Sequence, residues 1–508
     1  MSEMTRRVFL GSAGACAAGA LVAKGLAAKV AGMDLHDPRL RSPRDVKVNV
    51  KQVMAALLHS GDWQGPCRWR PPIPAEKERA RAKGILQGLH KRNLAQCGPD
   101  ANVLPPTFLE YWEDFDLTEP QLQKLDADAP DVDVYLVSSN DTAATAGAVV
   151  ARRYEKPTVI VDGGADSVDL AGFMAGEGLE SYLPVDMQDF RRLLRLLKAR
   201  KSLGETRLLL VGDRKAPPAG VKSTIWDLDA IEDAFGMQTR WIGLADLARE
   251  MDRVRADAGC TRQAEALADH LIGKAEKTWI ERRYVVASCL FYRAVQDLMV
   301  QHECNTFTIE CFEFCVSRLP EKWTITPCLV HSLLKDRGFA AACESDLSAL
   351  ITMHLLQAVA DASSFMGNLS FEDEKTIGLW HSVPGLKMAG YDKPDLTYHL
   401  GHFTPAGWGT KVQLCFAQAE ENRVTLARIN RQATELGVGV GEVVTTKNYD
   451  KGDIVGCSLR ALIRVPDARA FFSGFGPYGN HAVMVYGDQV ESLRQLGRMV
   501  GLEVKRIG

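Results

Sequence analysis

The chain has 508 residues, 46% of them hydrophobic and 25% charged, enough apolar material for roughly two to four folded domains and too balanced for a disordered chain. A formal net charge of −3 excludes a global attraction for nucleic acid or anionic membrane and favours a small or neutral partner. Beyond the N-terminal segment no apolar run reaches the ~18 residues that a membrane-spanning helix needs.

The first segment, "MSEMTRRVFLGSAGACAAGALVAKGLAAKVAG", carries Arg6 and Arg7, then a mildly apolar Ala/Gly-rich run, then small residues. This is the pattern of a twin-arginine export signal, which predicts cleavage between Ala27 and Ala31 and a periplasmic mature protein. Cysteines agree with that route. Of the twelve, all but Cys16 lie beyond the leader in scattered apolar contexts, with no CxxC pair, as expected of buried thiols in a protein folded before export. Cys311 and Cys315 come nearest to a metal spacing but lack the second pair a zinc site would need.

Three domains are expected after the leader (1–31), at 43–170, 171–300 and 301–508. In the first, "SPRDVKVNVKQVMAALLHS" reads as an extended apolar run and "GDWQGPCRWRPPIP" as a Gly/Pro-broken loop carrying Arg68 and Arg70. A helix with Ile85, Leu86, Leu89 and Leu94 on one side follows, then strand, helix and strand in "DVDVYLVSSN", "DTAATAGAVVARRYEK" and "PTVIVDGG". A second series repeats the alternation: "MQDFRRLLRLLKARKSLG" as a helix, "TRLLLVGDR" as a buried strand, and "WDLDAIEDAFGMQTRWIGLADLAREMDRV" as helix, strand and helix. Two open α/β sandwiches in series are therefore predicted, with parallel sheets. Neither GxGxxG nor GxxxxGK[ST] occurs, so no nucleotide cofactor is indicated, which counts against an exported oxidoreductase.

A long helix, with a break midway, is expected over "EALADHLIGKAEKTWIERRYVVASCLFYRAVQDLMVQHE". From residue 378 short apolar strands alternate with Gly-rich turns, as in "KVQLCFAQ", "RVTLARIN", "GVGVGEVVTT" and "SLRALIRV". These predict a C-terminal α+β domain with a largely antiparallel sheet or barrel.

Chemistry-bearing residues gather at strand ends. "TIECFEFC" holds Glu310 and Glu313, which face opposite sides if the strand continues; "CESDL" holds Glu344 and Asp346; "GNHAVMVYGD" places His481 before a buried strand. Two carboxylates and an imidazole form a set that holds a hard divalent ion with positions left open for a chelating substrate. Asp346 also fits the N-cap of a helix over "LSALITMHLLQAVA", so its spacing alone supports either role.

"TPCLVHSLLKDRGFAAACESDLSALITMHLL", with "WHSVPGL" and "GNHAVMVYGD", resembles the C-terminal half of the L-fucose isomerase-like proteins, the group of L-fucose and L-arabinose isomerases. The resemblance implies a homo-oligomer, trimeric or hexameric, that binds Mn²⁺ or a similar ion and interconverts aldose and ketose through an enediol. It implies Asp346 and His481 as metal ligands, Glu310 ahead of Glu313 as the third, and Glu310 and Asp346 as acid/base groups. Glu344 then either supports the ligands from behind or faces the substrate, and His381, Arg68 and Arg70 are substrate contacts. Export is a departure from pentose or deoxyhexose catabolism, and it points to a modified or oxidised sugar. A lyase or epimerase using the same metal, and an exported carbohydrate-binding protein without turnover, are the competing expectations.

Overall fold

The computed structural model describes residues 36–59, 74–112, 116–139, 145–161, 164–418 and 421–508. Its contacts divide the chain into two compact units. One takes Pro43–Glu205 with Glu491–Gly501; the other takes Thr206–Val490 and Leu502–Gly508 with the stretch before Pro43.

The first unit is built on a parallel sheet of β1 (Val48–Leu57), β2 (Ala101–Tyr111), β3 (Val134–Ser139), β4 (Thr158–Ile160) and β5 (Ser181–Tyr182), in the order β2-β1-β3-β4-β5. The central β1, "VNVKQVMAAL", is buried at nearly every position because helices cover both faces. Lys51 is buried there too, and its ammonium meets Asp128. Val50, Leu136, Phe190 and Leu194 form one side of the core, with Val53, Leu109, Val137 and Val150 on the other.

The second unit opens with another parallel sheet. Here β6 (Arg207–Val211), β7 (Gln238–Ile242), β9 (Thr306–Ile309) and β10 (Ala341–Ala342) lie in the order β10-β9-β6-β7. The expected long helix is two helices, Ala258–Lys274 and Arg282–Gln301, separated by the short β8 (Lys277–Thr278). That strand joins β13 (Tyr398–His402) and β14 (Thr410–Leu414) in a small sheet.

The remaining strands close an antiparallel barrel. β11 (Phe365–Asp373), β12 (Thr376–His381), β15 (Arg423–Ile429), β16 (Glu435–Lys447), β17 (Leu459–Arg464) and β18 (Ala482–Tyr486) follow the circuit β15-β18-β11-β12-β17-β16, and β16 pairs back to β15. β19 (Glu503–Arg506) adds to β16 in parallel. The "GVGVG" run of β16 makes room for aromatics: a Cβ at Gly439 would come within 2.3 Å of Phe471, and one at Gly437 within 2.7 Å of Tyr478. Parallel α/β sheets in series followed by a mostly antiparallel barrel are the predicted architecture.

Candidate functional site

The carboxyl end of the second parallel sheet and one end of the barrel bring the chemistry together. β10 ends at Ala342, and the next turn carries Glu344 and Ser345 at φ of 60° and 51°. Left-handed backbone at two successive non-glycine residues costs about 1–2 kcal/mol each, and such strain persists where the surroundings over-determine it. His481, entering β18, is held at φ 68° in the same way. His381 is the last residue of β12.

Asp346 caps the helix Leu347–Ala360, its Oδ1 accepting from the Ala349 N–H at 3.0 Å. The same carboxylate is gripped by Arg428 of β15, whose Nη1 donates to Oδ2 at 2.7 Å and Nη2 to Oδ1 at 3.2 Å. Both side chains are wholly buried. Arg428 also donates to the carbonyls of Tyr478 (2.8 Å) and His481 (3.1 Å), so its charge is tied to the backbone that carries the histidine. Burial alone would raise the Asp346 pKa; Arg428 and His481 outweigh it and hold the carboxyl well below the usual range.

Asp346 Oδ2 lies 3.0 Å from His481 Nδ1. An ionised acceptor there fixes the tautomer with the proton on Nδ1, leaving Nε2 as a lone pair. That Nε2 has no hydrogen-bond partner and sits 3.9 Å from Glu344 Oε2. His381 repeats the arrangement: its Nδ1 lies 3.8 Å from Cys457 Sγ, and its unpartnered Nε2 is 3.6 Å from Glu344 Oε1. The two rings meet edge to face at 5.3 Å. Burial opposes charging His381, yet Cys457 and Glu344 lift its pKa to about 10, so a cation taken at its Nε2 displaces a proton. Burial pushes the Glu344 carboxyl up, and the two imidazoles more than offset it, leaving it lowered. Glu344, 16% exposed against 1% for each histidine, is the member that reaches outward.

The loop after β6 packs over this centre. A Cβ at Gly220 would fall 2.6 Å from Glu344 Oε2, and Ser223 Oγ takes the Asn480 N–H at 3.3 Å. Thr224 and Ile225 clamp the start of the Asp346 helix, with Ser348 N donating to Thr224 Oγ1 and Ile225 N to Ser348 Oγ.

Glu310 lies at the end of the neighbouring strand, beside the same loop: it accepts from Ala219, the residue before the Gly220 that meets Glu344. β9 stops at Ile309 and a helix, Cys311–Val316, begins, so Glu310 and Glu313 lie one helical turn apart and are not on opposite faces of a strand. Glu310 caps that helix, accepting from Glu313 N at 2.6 Å and from Ala219 N at 3.0 Å. Glu313 accepts from the N–H groups of Asp213 (2.7 Å) and Arg214 (2.9 Å). The structure places His481 against Asp346, with Glu344 and His381 beside it; the compact groups of ligand atoms among the described residues hold Glu344 and His381 with Cys343, and include none of Asp346, His481 and Glu310. Arg68 and Arg70, like the leader, lie outside the described residues. Arg428 and Cys457 went unnoticed in the sequence. A lone arginine inside the apolar alternation "VTLARI" was the available signal, since a charge at a core position demands a partner.

No protein-family model matches the chain. Among curated proteins it is similar to sulfoquinovose isomerase of Priestia aryabhattai and of Priestia megaterium, each 21% identical over 319 residues, 62% of this chain and 67% of the relative. Sulfoquinovose isomerase of Alkalicoccus urumqiensis is 20% identical over 321 residues, 62% of this chain and 69% of that protein. The chain is similar to sugar isomerases.

Proposed function

We propose that the protein is an aldose–ketose isomerase of the L-fucose isomerase-like kind, acting on a modified sugar through an enediol. Its divalent ion, Mn²⁺ as first choice, would be held by Glu344, His381 Nε2 and His481 Nε2. The observation that carries this is the pair of buried imidazole Nε2 atoms, both without partners and both facing the Glu344 carboxylate. Two nitrogens and a carboxylate suit Mn²⁺ or its neighbours and leave positions open for a chelating substrate. When bound, such an ion supplies stabilisation of the negative charge that develops on the sugar carbonyl oxygen.

The chain's own groups do the rest. Asp346, its oxygens taken up by Arg428, His481 and the helix cap, orients His481 and is not a direct ligand. Cys457 stands behind His381 in the corresponding place. Glu344 faces the open side and stays ionised, so its carboxylate is the group placed to take a proton from C2 of an aldose and return it at C1.

The shared name of the three relatives makes a sulfonated aldose the first substrate to assay, with neutral aldoses beside it. The leader residues support export by the twin-arginine route to the periplasm, and the family resemblance supports a homo-oligomer, a trimer or hexamer. The test is a screen of aldoses and ketoses with Mn²⁺, Mg²⁺ and Co²⁺, wild type against His481→Ala. Metal-dependent ketose formation lost in the variant supports the assignment; equal activity in both overturns it.

A further inference from the structure

Beside the carboxylate–imidazole centre lies a second group of different chemistry. Cys311 Sγ and Cys343 Sγ are 3.1 Å apart, and with a ring nitrogen of His331 they place three ligand atoms within 4.8 Å of one another. The three come from separate elements: Cys311 opens the helix after β9, Cys343 follows β10, and His331 lies in the helix Cys328–Asp336. β9 and β10 are hydrogen-bonded neighbours, so the two thiols meet where adjacent parallel strands end.

His331 is the unusual member. It is fully buried, and neither of its ring nitrogens has a hydrogen-bond partner. The Ala341 backbone favours a proton on the ring but makes no well-formed hydrogen bond to it. Leaving a buried imidazole unpaired costs about 1–3 kcal/mol, which a ligand on its lone pair would recover. Burial first, then the nearby Lys335 and His381, hold the ring neutral, the form that ligates. Phe307 packs against its face at 5.5 Å and fixes the ring plane.

We propose that Cys311, His331 and Cys343 form a second metal site, selective for a thiophilic d¹⁰ dication such as Zn²⁺ and adjoining the Glu344–His381–His481 centre, because Cys343 also lies within 4.8 Å of ligand atoms of Glu344 and His381. Charge balance favours it. Two thiolates and a neutral imidazole bring a divalent ion to zero net charge, so the complex avoids most of the penalty for burying an ion. Soft sulfur selects against Mn²⁺ and Mg²⁺, so the two sites sort metals by ligand type. Cys343 is buried, whereas Cys311 is partly exposed and gives the ion a way in. A metal here would tie Cys343 to Cys311 and thereby set the turn that carries Glu344.

The test uses the full chain, reduced and stripped of metal, titrated with Co²⁺ as a spectroscopic stand-in for Zn²⁺. The site predicts a thiolate-to-Co²⁺ charge-transfer band that Zn²⁺ displaces, that is lost in Cys311→Ser and Cys343→Ser, and that persists in His481→Ala. Should the serine variants fail to fold, alkylation of Cys311 in the wild type reads the same site: Zn²⁺ slows labelling at least tenfold and a chelator restores it. Absence of a thiolate band with unprotected labelling overturns the proposal. So does a mass two hydrogens lower with a Cys311–Cys343 cross-linked peptide from the untreated protein, which would make the pair a disulfide.

Discussion

Arg428→Met removes the guanidinium that, together with His481, compensates the buried Asp346. Two guanidinium nitrogens reach the carboxylate at 2.7 and 3.2 Å, and two more contacts, at 2.8 and 3.1 Å, satisfy the Tyr478 and His481 carbonyls. Both partners are fully shielded from water, so no solvent replaces what is lost. Breaking such a pair costs about 3–5 kcal/mol, and the two orphaned carbonyls push the value to the upper end. Urea denaturation followed by tryptophan fluorescence measures it. A double variant, Arg428→Met with Asp346→Asn, supplies the control: with the carboxylate neutralised, the cost of losing Arg428 falls by several kcal/mol, a large positive coupling in the double-mutant cycle. A loss of under about 1 kcal/mol in the single variant, or additivity in the cycle, refutes the reasoning, because it means that Asp346 does not depend on Arg428 for its ionised state.

Three further outcomes are expected. Glu310→Ala removes a helix cap and the Ala219 contact, lowering stability by about 0.5–2 kcal/mol with metal stoichiometry unchanged; thermal denaturation and elemental analysis read both, and a lost ion would contradict the assignment. Asp346→Asn leaves the buried Arg428 uncompensated and no longer holds the His481 proton on Nδ1, so stability falls by about 3–5 kcal/mol and, in the protein that remains folded by circular dichroism, Mn²⁺ affinity falls about 10–100-fold by calorimetry. Lys335 is fully buried and its ammonium, which meets the Val383 carbonyl, has its pKa lowered from 10.5 to about 7. A depressed folded pKa gives stability that is present above the unfolded value and is lost as pH falls through the folded one. Between those limits stability therefore rises with pH, by up to about 1.4 kcal/mol per unit. Lys335→Met flattens this dependence, as urea midpoints at several pH values would show.

The architecture was legible because its signals are local. Apolar runs such as "RLLLV", buried throughout in a parallel sheet, and short strands broken by Gly-rich turns in the barrel both follow from periodicity. The helix behind "ESD" was equally plain, and Asp346 does cap it. The site was only half legible. Glu344 and Asp346 sit two residues apart, and alternation in an extended strand would put both on one face. The left-handed turn at Glu344 and Ser345 breaks that alternation: one carboxylate faces the imidazole nitrogens and the other the buried guanidinium. Nothing in the spacing announces such a turn, since neither residue is glycine. Glu310 and Glu313 face opposite sides only if the strand continues; β9 ends at Ile309, and both carboxylates sit in the first turn of the next helix, where Glu310 is the cap. Arg428 is 82 residues from Asp346 and Cys457 is 76 from His381, separations bridged by the helix Leu347–Ala360 against β15 and by the pairing of β12 with β17.

The most direct test of the central claim is transfer of solvent deuterium. An aldose substrate from the screen is incubated in D₂O with Mn²⁺ and wild type, Glu344→Gln or His381→Ala, and the products are followed by NMR. The account predicts ketose carrying deuterium at C1 from the wild type alone, with neither variant retaining more than about a thousandth of its rate, as loss of acid–base and ligand functions requires. Undiminished isomerisation by Glu344→Gln would contradict it.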